Sequence, residues 1–273
     1  TARLHSPPGP LQKVTDTLFS AVEDIGDDQI LPGMPPHWPP QTANGRGGSD
    51  PVRVAVQEFT ELVRATNEQA AQWWLAVIVT DLAHDAEGRA ALTPFMAPAG
   101  QQKAATFFKF PLQQIRGRPE LLHQALASWR RVPGYTGEYL DHRAIRTAGD
   151  LPTGESTPAG VPGATWLATQ ALPLLRLTGN EATPTAALWY RIERKRIMAW
   201  PVWQQELDLP AVCALISHPA LRPRLTEDAP DTVAADRDRL IPLGVVTLGA
   251  AERRPIPGSK SAGVLTPMRT RLE

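Results

Sequence analysis

Several segments of this chain carry residue types that could do chemistry, and each also has a plainer structural account. Gly100-Gln101-Gln102-Lys103 sets a glycine, two amide donors and a cation at the start of an expected helix, where free N–H groups face an anion. Glutamine amides can also read base edges. The plainer account is a helix start facing water. Asp141-His142-Arg143 follows Tyr135 and Tyr139 and puts a carboxylate beside an imidazole. Neighbouring residues diverge on a strand and are offset on a helix, so Asp141 cannot simply orient His142. Local capping by Asp141 and pairing by Arg143 explain the triplet structurally. Asp81, Asp85 and Glu87 near His84 offer metal-ligating groups, and a solvated helix end explains them as well. Gly258-Ser259-Lys260-Ser261 looks like a phosphate loop, but Ser259 stands where a Walker loop needs glycine directly before the lysine. No Gly-x-Ser-x-Gly elbow occurs.

Basic side chains supply the other candidate chemistry. The chain of 273 residues has 28 Lys and Arg against 28 Asp and Glu, so its formal charge is zero, which argues against a general nucleic-acid coat protein. The distribution is uneven. Residues 101–150 hold Lys103, Lys109, Arg116, Arg118, Arg130, Arg131, Arg143 and Arg146, whereas residues 1–50 are acidic on balance. A second cluster is Arg191, Arg194, Lys195 and Arg196, relieved by Glu193, and a third runs through Arg253, Arg254, Lys260, Arg269 and Arg271. Arginine far outnumbers lysine, and its planar fork suits bidentate phosphate or carboxylate contacts. A GC-rich genome would produce the same bias. The lone Cys213 excludes an internal disulfide and lies in an apolar stretch, so a buried, inert thiol is expected. Five tryptophans, Trp129, Trp166, Trp189, Trp200 and Trp203, sit at core spacing; Trp38, in a proline-rich loop, is the one expected to meet a partner or a base.

The elements that must position these groups follow from periodicity and turn formers. Leu11, Val14, Leu18, Val22 and Ile25 predict a first helix, and residues 26–51, rich in Pro and Gly, predict a loop. A helical stripe runs from Val52, although Val77 to Val79 could close as a strand. Further helices are expected over 101–115, with Pro111 kinking or restarting it, over 120–131 behind Pro119, over 164–177, and over 211–218 behind Pro210. Residues 186–192 and 196–203 alternate apolar and polar around a charged tip and predict a hairpin. Residues 222–239 read as a charged loop, and 243–248 and 264–268 as strands. The expected class is α+β: helical segments with a smaller antiparallel sheet, built from the hairpin near 186–203 and C-terminal strands. A boundary in the loop 147–163 divides a mainly helical part, 1–150, from an α+β part, 151–273. The longest apolar run, Trp73 to Val79, is too short to cross a bilayer, and no basic-then-apolar segment opens the chain, so a cytoplasmic location without membrane contact is expected.

The order of these segments resembles a known family. Gly100-Gln101-Gln102-Lys103 with Phe107, Leu140-Asp141-His142-Arg143, Gly154 with Ser156-Thr157-Pro158, the apolar helix from Ala164 to Leu175, Trp200-Pro201-Val202-Trp203 and Leu209-Pro210-Ala211 are similar to the large-subunit-type protein of CRISPR type I-U (also I-G) Cascade effector complexes. The likeness covers roughly residues 92–220, and Ser156-Thr157-Pro158 departs from a tighter Ser-Pro. The resemblance implies a subunit of a crRNA-guided antiviral surveillance complex that contacts the crRNA 5′ end and PAM-side target DNA. Other Cascade subunits and a helicase-nuclease would be its partners. Guide pairing would supply sequence discrimination, leaving the protein to neutralise phosphates. The resulting expectation is a non-catalytic nucleic-acid-binding subunit with no cofactor and no metal. Gln101, Gln102 and Lys103 would be PAM-side donors, and Lys109, Arg116, Arg118, Arg130, Arg131, Arg143, Arg194, Lys195 and Arg196 phosphate contacts. The alternatives are a metal-dependent nuclease using Asp141 or the Asp81 to Glu87 group, and a scaffold touching only protein.

Overall fold

A computed structural model of the chain describes residues 10–39, 50–66, 69–96, 103–140, 159–254 and 264–273. In chain order the first elements are helices α1 (Leu11–Glu23), α2 (Phe59–Ala65) and α3 (Gln69–Ile78), then strands β1 (Val79–His84) and β2 (Ala90–Leu92). Helices α4 (Ala104–Ile115) and α5 (Pro119–Ala127), short strands β3 (Val132–Pro133) and β4 (Ala159–Gly160), and helix α6 (Pro162–Gln170) follow. Strands β5 (Leu177–Gly179), β6 (Pro184–Ala186), β7 (Trp189–Ile192) and β8 (Lys195–Trp203) lead to helix α7 (Leu209–Ile216). Strands β9 (Arg224–Thr226) and β10 (Ala229–Ala235), helix α8 (Arg237–Leu240), and strands β11 (Val245–Arg254), β12 (Val264–Pro267) and β13 (Arg269–Leu272) complete the chain. The class is α+β.

The organising element is a six-stranded antiparallel sheet in the order β12-β11-β8-β7-β6-β5. Its two faces are apolar for different partners, as period-two alternation requires. Trp189, Ala251 and Leu265 face the main core with Leu75 and Ile78 of α3 and Phe107 and Phe108 of α4. Ile197, Ala199 and Ala250 face the other way, onto Val233 of a smaller sheet ordered β13-β10-β9 and onto Met268, between β12 and β13. The β1–β2 hairpin extends the large sheet beyond β5: the Glu181 N–H donates to Leu82 O at 2.7 Å and the His84 N–H to Glu181 O at 3.1 Å. That approach requires glycine at 179, where a Cβ would stand 2.5 Å from Leu82 O.

The helical layer is pinned by caps and by packing. Pro119 and Pro210 sit in the first turns of α5 and α7, and Asp208 accepts the Ala211 N–H at 2.8 Å. At the start of α4 the carboxylate comes from far away in sequence: buried Asp50 accepts the Ala104 N–H. Helix α4 runs through Pro111 as one element. A second core joins α1, α4, α5 and α6 through Val22, Ile25, Leu112, Ile115, Leu122 and Trp166. Residues on both sides of position 150 share these two cores.

Some expectations are corrected. Residues 222–239 are not a loop: β10 lies between β9 and the parallel β13, with Val233, Ala234 and Ala235 buried. The stripe from Val52 is broken into α2 and α3, and its β-branched end passes directly into β1, because pairing with β2 satisfies that backbone. The acidic group at 81–87 is therefore strand and turn, not a helix end. Trp38 is 5% exposed and part of the main core, whereas Trp129 is 53% exposed. Cys213 is half-buried on α7. Among the described residues, no helix is long and apolar enough to cross a membrane.

Candidate anion-binding cleft

Strands β7, β8 and β11 are neighbours in the large sheet, and their register decides which cations meet. A two-residue tip, Glu193-Arg194, joins β7 to β8, so Ile192 pairs with Lys195 and Arg191 with Arg196. On the other side of β8 the register runs to Glu252 opposite Ile197, so Arg253, next along β11, falls on the Arg196 side, near enough for the Arg196 charge to act on it. Arg191, Arg196 and Arg253 thus form a row across three adjacent strands on one face. Like charges directly opposite one another destabilise a sheet.

The intervening residues point to the other face, where charge is balanced. Lys195 lies 3.8 Å from both Asp231 and Glu252, and Arg254 donates to Glu252 at 2.9 Å and to Asp231 at 2.7 Å. The run Arg194-Lys195-Arg196 is therefore split by alternation: Arg194 and Arg196 join the row's side, and Lys195 does not.

The row borders a cleft of about 490 Å³ between the sheet, the β1–β2 hairpin with residues 93–96, and the turn 182–185. Arg53, Arg191, Arg194, Arg196 and Arg253 line it against one carboxylate, Asp85, among the described residues. Asp85 is already shared, ion-paired to Arg53 and to Arg89. Burial opposes its ionisation, but N–H groups of Arg89 and Glu87 and the Arg89 side chain hold its carboxyl below the ordinary 3.8. Arg191 is steadied by the Thr183 hydroxyl at 3.3 Å.

Arg253 forms the floor. It is 3% exposed and its guanidinium lies 4.8 Å above the Trp189 ring centroid. Its two Nη groups donate to the carbonyls of Phe95 and Met96 at 3.4 and 3.5 Å, and its Nε has no acceptor among the described residues. No acid among the described residues pairs with it. Burial first, and then the nearby positive charge of Arg196, lower its pKa from 12.5 to about 10. A cation buried without a paired acid among the described residues is costly to hold.

The residues expected from sequence divide accordingly. Arg194 and Arg196 line the cleft and Lys195 faces away. Arg116 is a structural tie, donating to Ile25 O and Gly26 O at 2.7 Å each and to Asp27 at 3.1 Å. Arg131 holds Ala159 O at 2.8 Å. Lys103, half-buried, sits at the start of α4, while Lys109, Arg118 and Arg130 are exposed; none of these helical residues lines the cleft. Gln101, Gln102, Arg143, Asp141 and the loop 258–261 lie outside the described residues. Among the described residues no three His, Cys, Asp or Glu side chains gather as a metal site. Arg53, Arg191 and Arg253 are the additions from structure. Arg191 and Arg253 had a sequence signal, their places in basic clusters, but the row depends on pairing β8 with a strand some fifty residues later.

No family model, curated protein or solved structure matches the chain.

Proposed function

We propose that this chain is a non-catalytic nucleic-acid-binding subunit that grips one sugar-phosphate chain on the arginine row. The observation carrying the reading is Arg253: a guanidinium 3% exposed, without an acid partner among the described residues, in line with Arg191 and Arg196. Arginine forks match phosphate oxygens bidentately, and five arginines line a cleft of about 490 Å³. A neutral chain is compatible with this role, because the positive groups are gathered at one place while Lys195 and Arg254 are balanced elsewhere. In the Cascade-type reading suggested by the resemblance, the strand is crRNA or displaced target DNA. The remaining surface then serves other Cascade subunits and the helicase-nuclease.

The test is a salt titration. Each phosphate contact to a single strand contributes about −0.7 to the slope of log K against log salt. Replacing Arg191 and Arg196 by Gln should flatten that slope by about 1.4 for single-stranded RNA or DNA, read by fluorescence anisotropy. An unchanged slope refutes the proposal.

A further inference from the structure

We infer that the cleft takes a phosphomonoester dianion, a terminal phosphate group entering end-first. The inference rests on the nucleic-acid reading and narrows it to a chemical class of ligand.

The argument is one of depth and charge. Arg191 and Arg196 are exposed at the rim, but Arg253 is at the floor, closed on one side by Trp189 and bounded by the Phe95 and Met96 carbonyls. An anion that compensates Arg253 must reach it. A phosphodiester within a chain carries one charge, and two of its oxygens are bonded to sugars, one on each side. Those sugars hold the phosphorus at the rim. A phosphomonoester has a single ester bond, three terminal oxygens and a charge near −2 at neutral pH. It can enter with all three oxygens leading, one to the fork at the floor and the others to the rim arginines, while its sugar stays in the remaining space. Five lining arginines against one shared lining carboxylate, among the described residues, suit a doubly charged ligand better than a singly charged one. The same group is carried by the end of a strand and by a free nucleoside monophosphate.

The experiment compares four probes on the full chain by isothermal titration at neutral pH. Three are one six-nucleotide RNA ending in a phosphate, in a methyl phosphate, which is a diester of nearly equal size, or in a hydroxyl. The fourth is adenosine monophosphate. The terminal phosphate should bind at least tenfold more tightly than the methyl phosphate, a difference in proportion to one added charge-assisted contact. That gain should disappear in Arg253→Met and shrink in Arg196→Gln, an exposed position whose replacement leaves packing intact. Equal binding of all three oligonucleotides overturns the inference and leaves the proposed function standing. Binding of adenosine monophosphate without any oligonucleotide supports the monoester site and overturns the nucleic-acid reading. Failure of all four probes overturns both.

Discussion

Replacing Arg253 by methionine tests whether the floor of the cleft is built for a ligand or for the fold. The fall of the Arg253 pKa from 12.5 to about 10 corresponds to about 3 kcal/mol by which folding disfavours the charged form. The folded state binds that proton less tightly than the unfolded chain. The penalty is therefore complete at neutral pH and is relieved only as pH rises above 10. Methionine keeps much of the volume and removes the charge. Against this gain stand the stacking on Trp189, worth about 1–2 kcal/mol, and two long hydrogen bonds. In chloride buffer the variant should be as stable as the parent or more stable by up to about 2 kcal/mol, as expected when an unpaired buried ion gives way to an apolar side chain. Urea unfolding followed by tryptophan fluorescence measures this directly. Adding adenosine monophosphate at ten times its dissociation constant should stabilise the parent by about 1.4 kcal/mol and leave the variant unmoved. A variant that loses more than about 2 kcal/mol in chloride, or gains as much from the ligand as the parent does, refutes the reasoning.

Other outcomes follow from the same geometry. Arg196→Glu should weaken single-strand binding at least tenfold, and Lys195→Glu, on the opposite face beside Asp231 and Glu252, less than threefold; competition binding at one salt concentration compares them. Gly249→Ala should destabilise by about 1–3 kcal/mol, because its Cβ would stand 2.2 Å from the Trp200 ring that covers this point of β11; the urea midpoint reports it. Asp50→Ala should cost about 1–2 kcal/mol by uncapping α4. Burial above all raises the Asp50 carboxyl, against the N–H groups of Ala104 and Val52 and the nearby Arg53 and Lys103. Its stabilising contribution is complete below the ordinary 3.8 and fades as pH climbs through the folded value, so Asp50→Asn should gain on the parent as pH rises above 3.8.

Local pattern was sufficient for much of the fold. The spacing of Leu18, Val22 and Ile25 predicts α1, Pro119 and Pro210 mark two helix starts, and alternation around Glu193-Arg194 predicts the β7–β8 hairpin. These features depend on residues within one or two turns of each other. The errors occur where distant pairing overrides local character. Residues 222–239 look like a charged loop until β13 lies beside β10, and Trp38 looks exposed among prolines until the main core closes over it.

The candidate site shows the same division. Composition alone reveals an excess of arginine and a basic hairpin tip, since charge and residue type need no partner to be read. Which arginines act together is a property of register. Alternation turns Lys195 to the balanced face, a strand fifty residues downstream brings Arg253 to the Arg196 side, and the β1–β2 hairpin walls the space with Arg53 and Asp85. Arg116 and Arg131, basic in sequence, are taken up by backbone carbonyls. The sequence determined that this chain is rich in forks for anions; only the folded sheet decided which forks face a common space, because burial and strand pairing convert a list of charges into a directed field.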